Sequence, residues 1–404
     1  MIHTFSVSNF RSIREEVVLD LRIPKTAPDL PRFRRSIARP DVRLPSVVVL
    51  MGPNGSGKTA LLDALVSTAR VAGLAALSEP EKSPITQLTP FFSEASAGEP
   101  TALRLELEGD WLAPGEPPQI FRYELVAERE PWNHCSERFR YEALSYFPKG
   151  RRRRLFERTG PGDPIHVSDE FGVTARDPRL EAVRPDASVI ATLAFLNVPV
   201  AMRLVDWLKT VGLLTNIVQY ESLQLPAEGV AELVETVPGL WNWFKERIQC
   251  SDLGISDVDV SDDNGKKTIS FRHPGVDTPL GLYLESSGTK SLFRLLPQLH
   301  RALTHGVPGV FDEMDGDLHV DIVEEILNWF RSRETNPHDS QLFITSHNVG
   351  LLDDLEKEEV FILEKTQDGA TRLHAAQDVQ GLRRDVRLYP KYRAGVLGGI
   401  PRFG

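Results

Sequence analysis

Cysteine is scarce: Cys135 and Cys250 are the two in 404 residues, and they stand far apart. That excludes a disulfide framework and any zinc site built on cysteine, and it suits a reducing, cytoplasmic setting. Positive charge is in deficit, with 47 Lys and Arg against 57 Asp and Glu for a net charge of −10. Global electrostatics therefore steer the chain neither to nucleic acid nor to a membrane surface, and any DNA contact needs a local basic patch. The opening residues, MIHTFSVSNFRSI, lack a charged segment followed by an apolar one, so no secretory signal is expected there. Long apolar runs are missing too. The most apolar long stretch, Ala187 to Leu208, is broken by Asn197, Pro199, Arg203 and Asp206, which predicts core helices rather than a membrane span. No internal repeat and no sustained heptad is visible, which excludes a long coiled coil.

Against that ordinary background one stretch is specific. VVVLMGPNGSGKTALLDAL, Val47 to Leu65, places an apolar run before G-x-x-x-x-G-K-T and a helical pattern after it. The loop Gly52, Pro53, Asn54, Gly55, Ser56, Gly57, Lys58, Thr59 and Ala60 is a predicted phosphate cradle for ATP. Its glycines let the backbone turn tightly enough for successive N–H groups to point inward, and the helix N-terminus and Lys58 add positive charge. Thr59 is expected to hold Mg²⁺.

Met1 to Leu21 alternates like paired edge strands, and Pro24 to Pro45 reads as a surface loop. From about Thr101 to Glu157 the period is two, predicting an antiparallel meander. From Leu180 to Ile248 apolar residues recur at three and four, predicting helices. ISDVDVSD and KKTISFRH then predict a hairpin through Asp263, Asn264 and Gly265. The last third alternates helix and strand, as a helix-covered parallel sheet does. The expected class is α/β: a core from residues 1–75 and 270–404, a β-rich antiparallel part over 76–178, and a helical insertion with its hairpin over 179–269.

Three further motifs carry chemistry. GVFDEMDGDLH puts Asp312 and Glu313 directly after an apolar strand, where Asp312 can act on Mg²⁺ through water and Glu313 can accept a proton from an attacking water. QLFITSHN ends another apolar run at His347, at the strand end where ligands bind on parallel sheets, within reach of a γ-phosphate or of that water. LESSGTKSL, with Ser286, Ser287 and Gly288, reads either as a helix N-cap or as a second phosphate-binding helix N-terminus.

In this order the motifs resemble the ABC-type ATPases of the SMC, Rad50, RecF and OLD branch, in particular the compact ATPases of bacterial phage-defence loci. VSNFRSI is similar to that family's opening strand, GPNGSGKT to its Walker A, ESSGTK to its signature, FDEMDGDLH to its Walker B with D-loop, and ITSHN to its switch histidine. The ending KYRAGVLGGIPRFG is similar to that of the compact defence group. The signature departs from L-S-G-G-Q, with Ser287 and Thr289 in place of Gly and Gln. The resemblance implies a homodimer or larger even-numbered homo-oligomer, in which Ser286, Ser287 and Gly288 of one subunit cap the ATP on another. It also implies a Q-loop glutamine, for which Gln87 is the candidate, near the metal. The partner implied for a defence switch is a separately encoded effector, a nuclease or a toxin. A RecF- or Rad50-like repair clamp is the alternative, and for it the run KGRRRRLF offers Arg151, Arg152, Arg153 and Arg154 as DNA phosphate contacts. An OLD-type nuclease would need a C-terminal metal-dependent domain, and the short stretch after His347 reads as strands and a tail. The residues leave open whether that tail is disordered or docks.

Overall fold

Period-two runs at the N-terminus pair with each other and then with the distant meander. The protein, known from a computed structural model, is described over residues 1–400 except 75–83, 92, 94, 95, 97, 131, 132, 214, 217–226, 252, 264 and 265. β1 (Ile2–Ser8) and β2 (Val17–Asp20) form the first hairpin, β3 (Phe33–Arg35) and β4 (Arg43–Pro45) a small ribbon, and β5 (Val47–Met51) leads to α1 (Lys58–Leu74). The meander follows as β6 (Thr101–Gly109), β7 (Gln119–Glu130), β8 (Asn133–Tyr146), β9 (Arg153–Arg158) and β10 (His166–Val167). Together they make a seven-stranded sheet ordered β10-β9-β8-β7-β6-β1-β2 among the described residues. The first hairpin is thus only half an edge: β2 is the rim, and β1 lies between β2 and β6.

Alternation explains both faces of this sheet. Leu103, Leu105 and Leu107 of β6 point into the core. Between them, Arg104 stands opposite Glu124 and Glu106 opposite Arg122 in the β6–β7 register, and both pairs are ion pairs. Opposite charges directly across a ladder support this face, on which Glu106 is buried and also pairs with Arg39.

Helices α2 (Val189–Phe195), α3 (Pro199–Leu213), α4 (Ala227–Thr236) and α5 (Leu240–Cys250) come next, then β11 (Asp257–Asp263), β12 (Lys266–Arg272) and β13 (Leu280–Gly281). β11 and β12 pair as the expected hairpin; its turn residues Asn264 and Gly265 lie outside the described residues. The closing segment is α6 (Ser287–His305), β14 (Gly309–Phe311), α7 (Val320–Arg331), β15 (Leu342–Thr345), β16 (Val360–Lys365), β17 (Thr371–Ala375) and α8 (Leu388–Arg393). β14, β15, β5 and β16 run parallel, and β17 closes one side antiparallel, in the order β14-β15-β5-β16-β17. The strand before the phosphate loop therefore joins strands from the far end of the chain.

This parallel sheet separates two cores. Val48 and Leu50 face the core shared by α1, α2, α3 and the seven-stranded sheet, while Val47, Val49 and Met51 face the one shared by α4, α5, α6 and α7. A strand buried on both faces reads as a continuous apolar run for this reason. The residues over 179–269 divide accordingly: α2 and α3 pack on the α1 side, α4 and α5 on the α6 side, with Phe244 edge-on to Phe293 at 5.7 Å. Among the described residues no single helix is long and apolar enough to cross a membrane; the α2–α3 pair is bent by 114°.

One buried carboxylate ties the helices to the sheet. Glu142 of β8 accepts from Arg158 (2.7 Å), Tyr123 (3.0 Å), Ser188 (2.9 Å) and the backbone N–H of Val189 (3.0 Å). Replacing it leaves the Arg158 cation, itself buried, without its counter-charge. Glu142→Ala is expected to lower the unfolding free energy by about 3–5 kcal/mol, measured by urea titration; a loss within that of an exposed substitution would remove this role.

Candidate functional site

β5 ends at Met51, and residues 52–57 turn back into α1, which begins at Lys58. Two glycines are sterically required there. Gly57 has φ +105, and a β-carbon on it would lie 2.2 Å from Thr371 Oγ1; Gly52 has φ +148, and one there would lie 2.2 Å from the Leu363 carbonyl oxygen. At Gly55, by contrast, a β-carbon would meet nothing within 4 Å, so the loop apex opens outward. The buried Ser56 hydroxyl has no hydrogen-bond partner among the described residues, and the first turn of α1 leaves backbone N–H groups without intrahelical acceptors. These features fit a phosphate group.

Lys58 begins α1 and is buried. Its Nζ donates to the carbonyls of Gly52 (2.8 Å) and Pro53 (3.2 Å). Burial lowers its pKa, and the nearby charges of Asp312, Glu313 and Asp315 oppose that shift. An anionic phosphate would give this desolvated cation a full counter-charge.

Asp312 and Glu313 follow β14, and the next parallel strand receives them. Asp312 Oδ2 accepts from Thr59 Oγ1 (2.7 Å) and Oδ1 from Thr345 Oγ1 (2.6 Å). Asn216 clamps the backbone of Asp312, accepting its N–H (2.6 Å) and donating to its carbonyl (2.8 Å). Thr345 Oγ1 also accepts the Glu313 N–H at 2.7 Å. Glu313 itself sits at φ +45, sparsely populated for a residue with a side chain, and its carboxylate is exposed. His347 Nε2 lies 3.2 Å from Glu313 Oε1. Asp315 holds the switch segment by accepting from Ser346 Oγ (2.7 Å) and the N–H of Asn348 (2.9 Å). Lys58, Thr59, Asp312, Glu313 and His347 are thus brought to one end of the sheet. Thr59 and Asp312 are the pair that would hold Mg²⁺.

Ser286 caps α6, accepting from the Thr289 N–H at 3.1 Å. Ser286 and Ser287 are exposed. Gly288 sits so close to the loop after Walker B that a β-carbon would lie 2.9 Å from the Asp317 carbonyl oxygen, and Ser291 donates to Asp317 at 3.0 Å. Among the described residues the hydrogen bonds of Ser286 and of Ser291 stay on α6 and this loop.

Gln87 and the basic run are placed elsewhere. Gln87 accepts from Arg70 Nε at 3.3 Å; eleven residues separate Arg70 from Thr59 on α1, about 16 Å of helix rise, so Gln87 is not brought to the metal pair. Arg152 pairs with Glu124, Arg153 with Glu170 and Arg154 with Glu157. The run that reads as a basic patch is largely charge-compensated by neighbouring strands and loops.

Sequence reasoning missed Asn216, Thr345, Ser12 and Thr371. Thr371 donates to the Ser56 carbonyl (2.9 Å), and its own N–H donates to the Ser12 carbonyl (2.7 Å). Thr345 has a local signal, standing just before Ser346 and His347 at a strand end. Asn216 has none, since it comes from the segment after α3.

Residues 237–353, from α5 through His347, match the family described as "AAA domain, putative AbiEii toxin, Type IV TA system". No curated protein matches the sequence. Similar solved structures are Smc heads. One bound to the C-winged helix domain of ScpA is 16% identical, covering 93% of this chain and 97% of that one at a TM-score of 0.47. A Pyrococcus furiosus head with an extended coiled coil, bound to the ScpA C-terminal domain, is 14% identical over 97% and 98% at 0.45. A Pyrococcus yayanosii head with coiled coil and joint is 12% identical over 93% and 96% at 0.45. With loop 52–60, the acidic pair, His347 and the N-terminus of α6 arranged as described, the fold is a mixed α/β one with a parallel sheet at its centre, and residues 237–353 are similar to that AAA family.

One contact beside the signature is pH-dependent. His273 offers Nδ1 to the Gly254 carbonyl (2.8 Å) and Nε2 to the buried Glu285 carboxylate (2.9 Å). Both ring nitrogens face acceptors, so the imidazolium satisfies both, and its pKa is raised, chiefly by the hydrogen bond to Glu285. A raised folded pKa contributes stability that is complete below the ordinary histidine value of about 6.5 and is lost as pH rises through the folded value. Thermal midpoints of wild type and His273→Gln are therefore expected to converge as pH rises from about 6 to 9; parallel profiles would show that the pair contributes nothing.

Proposed function

We propose that this chain is an ATP-binding and ATP-hydrolysing switch of a bacterial anti-phage defence system, which dimerises around bound ATP and controls a separately encoded effector, a nuclease or a toxin. The observation that carries the enzymatic part is the convergence of Lys58, Thr59, Asp312, Glu313 and His347 at one end of the parallel sheet. ATP would lie with its phosphates on loop 52–60. Mg²⁺ on Thr59 and Asp312 would neutralise charge on the phosphates. Glu313, exposed and in contact with His347, is the group free to take a proton from the attacking water, and His347 orients it.

The dimer is supported by where the signature lies. Ser286 and Ser287 face outward at the N-terminus of α6, and their neighbours Tyr283 and Leu284 are exposed apolar side chains. Adjacent exposed apolar residues are the kind of surface that a second subunit covers. A subunit built this way offers one half of an ATP pocket on the phosphate loop and the complementary half on α6. The defence role is supported by the family match over residues 237–353, whose description reads "putative AbiEii toxin, Type IV TA system", and by the likeness of the tail to the compact defence group.

Lys58→Ala is expected to abolish ATP binding in isothermal titration, since the phosphates lose their principal cation; retained tight binding would overturn the site. Glu313→Gln is expected to bind ATP, to hydrolyse it about 10²–10⁴-fold more slowly, and to accumulate at twice the monomer mass in light scattering with ATP. Adding Ser287→Arg to that variant is expected to return it to monomer mass. Unchanged turnover in Glu313→Gln rejects it as the base, and a monomer with ATP bound rejects the shared pocket.

A further inference from the structure

The ATPase reading leaves the C-terminal tail unused, yet that tail has a specific environment. After α8 the chain buries Leu397 in the core that also takes Met51 of β5, then turns through Gly398 and Gly399, at φ +71 and +66. The two glycines occupy a slot without room for side chains. A β-carbon on Gly399 would fall 2.6 Å from Ile362 Cγ2, and one on Gly398 would fall 3.1 Å from His374 Cε1. The turn is held by polar contacts as well: His374 Nε2 bonds the Leu397 carbonyl (2.7 Å), and the Tyr392 hydroxyl donates to the Gly399 carbonyl (2.6 Å).

The remaining wall of this slot is the phosphate loop. A β-carbon on Gly399 would lie 3.6 Å from Gly52 Cα, so the tail runs beside the first glycine of the loop. Gly52 is also confined by the Leu363 carbonyl. Its own carbonyl accepts the Lys58 ammonium at 2.8 Å. The tail thus lies beside the residue whose carbonyl Lys58 must release in order to reach a phosphate.

We propose that residues 395–400 are a positioning element of the phosphate loop: the seated tail fixes Gly52 between itself and β16, and nucleotide affinity depends on that seating. The inference rests on the ATP-binding reading above. Linkage makes it reciprocal, so bound ATP tightens the seat of the tail, and whatever pulls the tail away weakens ATP binding by the same factor.

The test uses the full chain and two substitutions remote from the phosphates. Gly399→Ala puts a methyl group against Ile362 and lifts the tail, while Tyr392→Phe removes one hydrogen bond and keeps the ring. A fluorescent ATP analogue is titrated into each, and the nucleotide-free thermal midpoint is recorded. Gly399→Ala is expected to weaken binding about tenfold or more and Tyr392→Phe about threefold, with the nucleotide-free midpoint of Tyr392→Phe close to wild type. Amide exchange of residues 395–400 in the wild type is expected to slow when ATP binds. Affinities within about twofold of wild type, or tail exchange indifferent to ATP, overturn the proposal; if Gly399→Ala does not fold, Tyr392→Phe and the exchange measurement decide. Lys58→Ala separates the two failures. Binding lost there but intact in the tail variants rejects the tail alone, whereas binding retained in Lys58→Ala rejects the site on which the inference rests.

Discussion

Asp312 is gripped from three directions, and much of the site follows from that grip. One oxygen takes the hydroxyl of Thr59 at the start of α1, the other that of Thr345 at the end of β15, and Asn216 holds its backbone. Because a threonine hydroxyl has a single proton, donating it to Asp312 obliges Thr345 to accept from the Glu313 N–H, as it does. The same logic applies at Thr59: with its proton committed to Asp312, its oxygen lone pairs remain for a cation. Proton positions in the network are thereby set by donor and acceptor counting, and helix, strand and loop are locked into one register.

Adjacent carboxylates then acquire different tasks from different surroundings. Each Asp312 carboxylate oxygen takes one hydroxyl donor, which fixes the group and leaves it lone pairs for a cation. Glu313 is turned by its positive φ toward the open side, where His347 is its side-chain partner. A rigid acid beside a free one is what metal-assisted hydrolysis requires, since a base must retain a lone pair for the incoming proton. The strained backbone at Glu313 is consistent with a position over-determined by the Thr345 contact and the loop that follows.

The phosphate loop, the acidic pair and the switch histidine were legible because each is contiguous: glycines, lysine, carboxylates and histidine stand in short runs at strand ends. The parallel sheet was legible from continuous apolar runs, and the meander from alternation. What was illegible depends on residues that meet only in space. Asn216 reaches Asp312 from the segment after α3, and Thr371 reaches Ser56 from β17. The charge balance of the arginine run was illegible for the same reason, since Glu124 and Glu170, which pair with Arg152 and Arg153, come from other elements. Gln87 was placed near the metal only by the resemblance, and the sequence does not say which end of α1 it meets; it meets Arg70. The helices over 179–269 share one periodic pattern, and periodicity does not say which of two cores an amphipathic face enters.

Loop 52–60 is itself shaped by residues outside its motif. Gly57 faces Thr371 and Ser12, so the turn of the first hairpin and the start of β17 define its lower wall. Arg11 of the same turn reaches the buried Asp63 of α1 at 2.6 Å, tying the seven-stranded sheet to the helix that begins with Lys58. Gly52 faces Leu363 of β16 and Gly399 of the tail. A glycine-rich loop alone is floppy, because glycine gains conformational freedom that ordinary residues lack. At Gly52 and Gly57 backbone and hydroxyl groups from β16, β17 and the first hairpin fill the space that the missing side chains leave, and so hold the loop in shape. Ser12, Thr371 and Arg11 thus join the seven-stranded sheet to this loop and to α1, beside the Ile2–Gln341 and Arg14–Asp368 contacts that hold the same sheet against the parallel one.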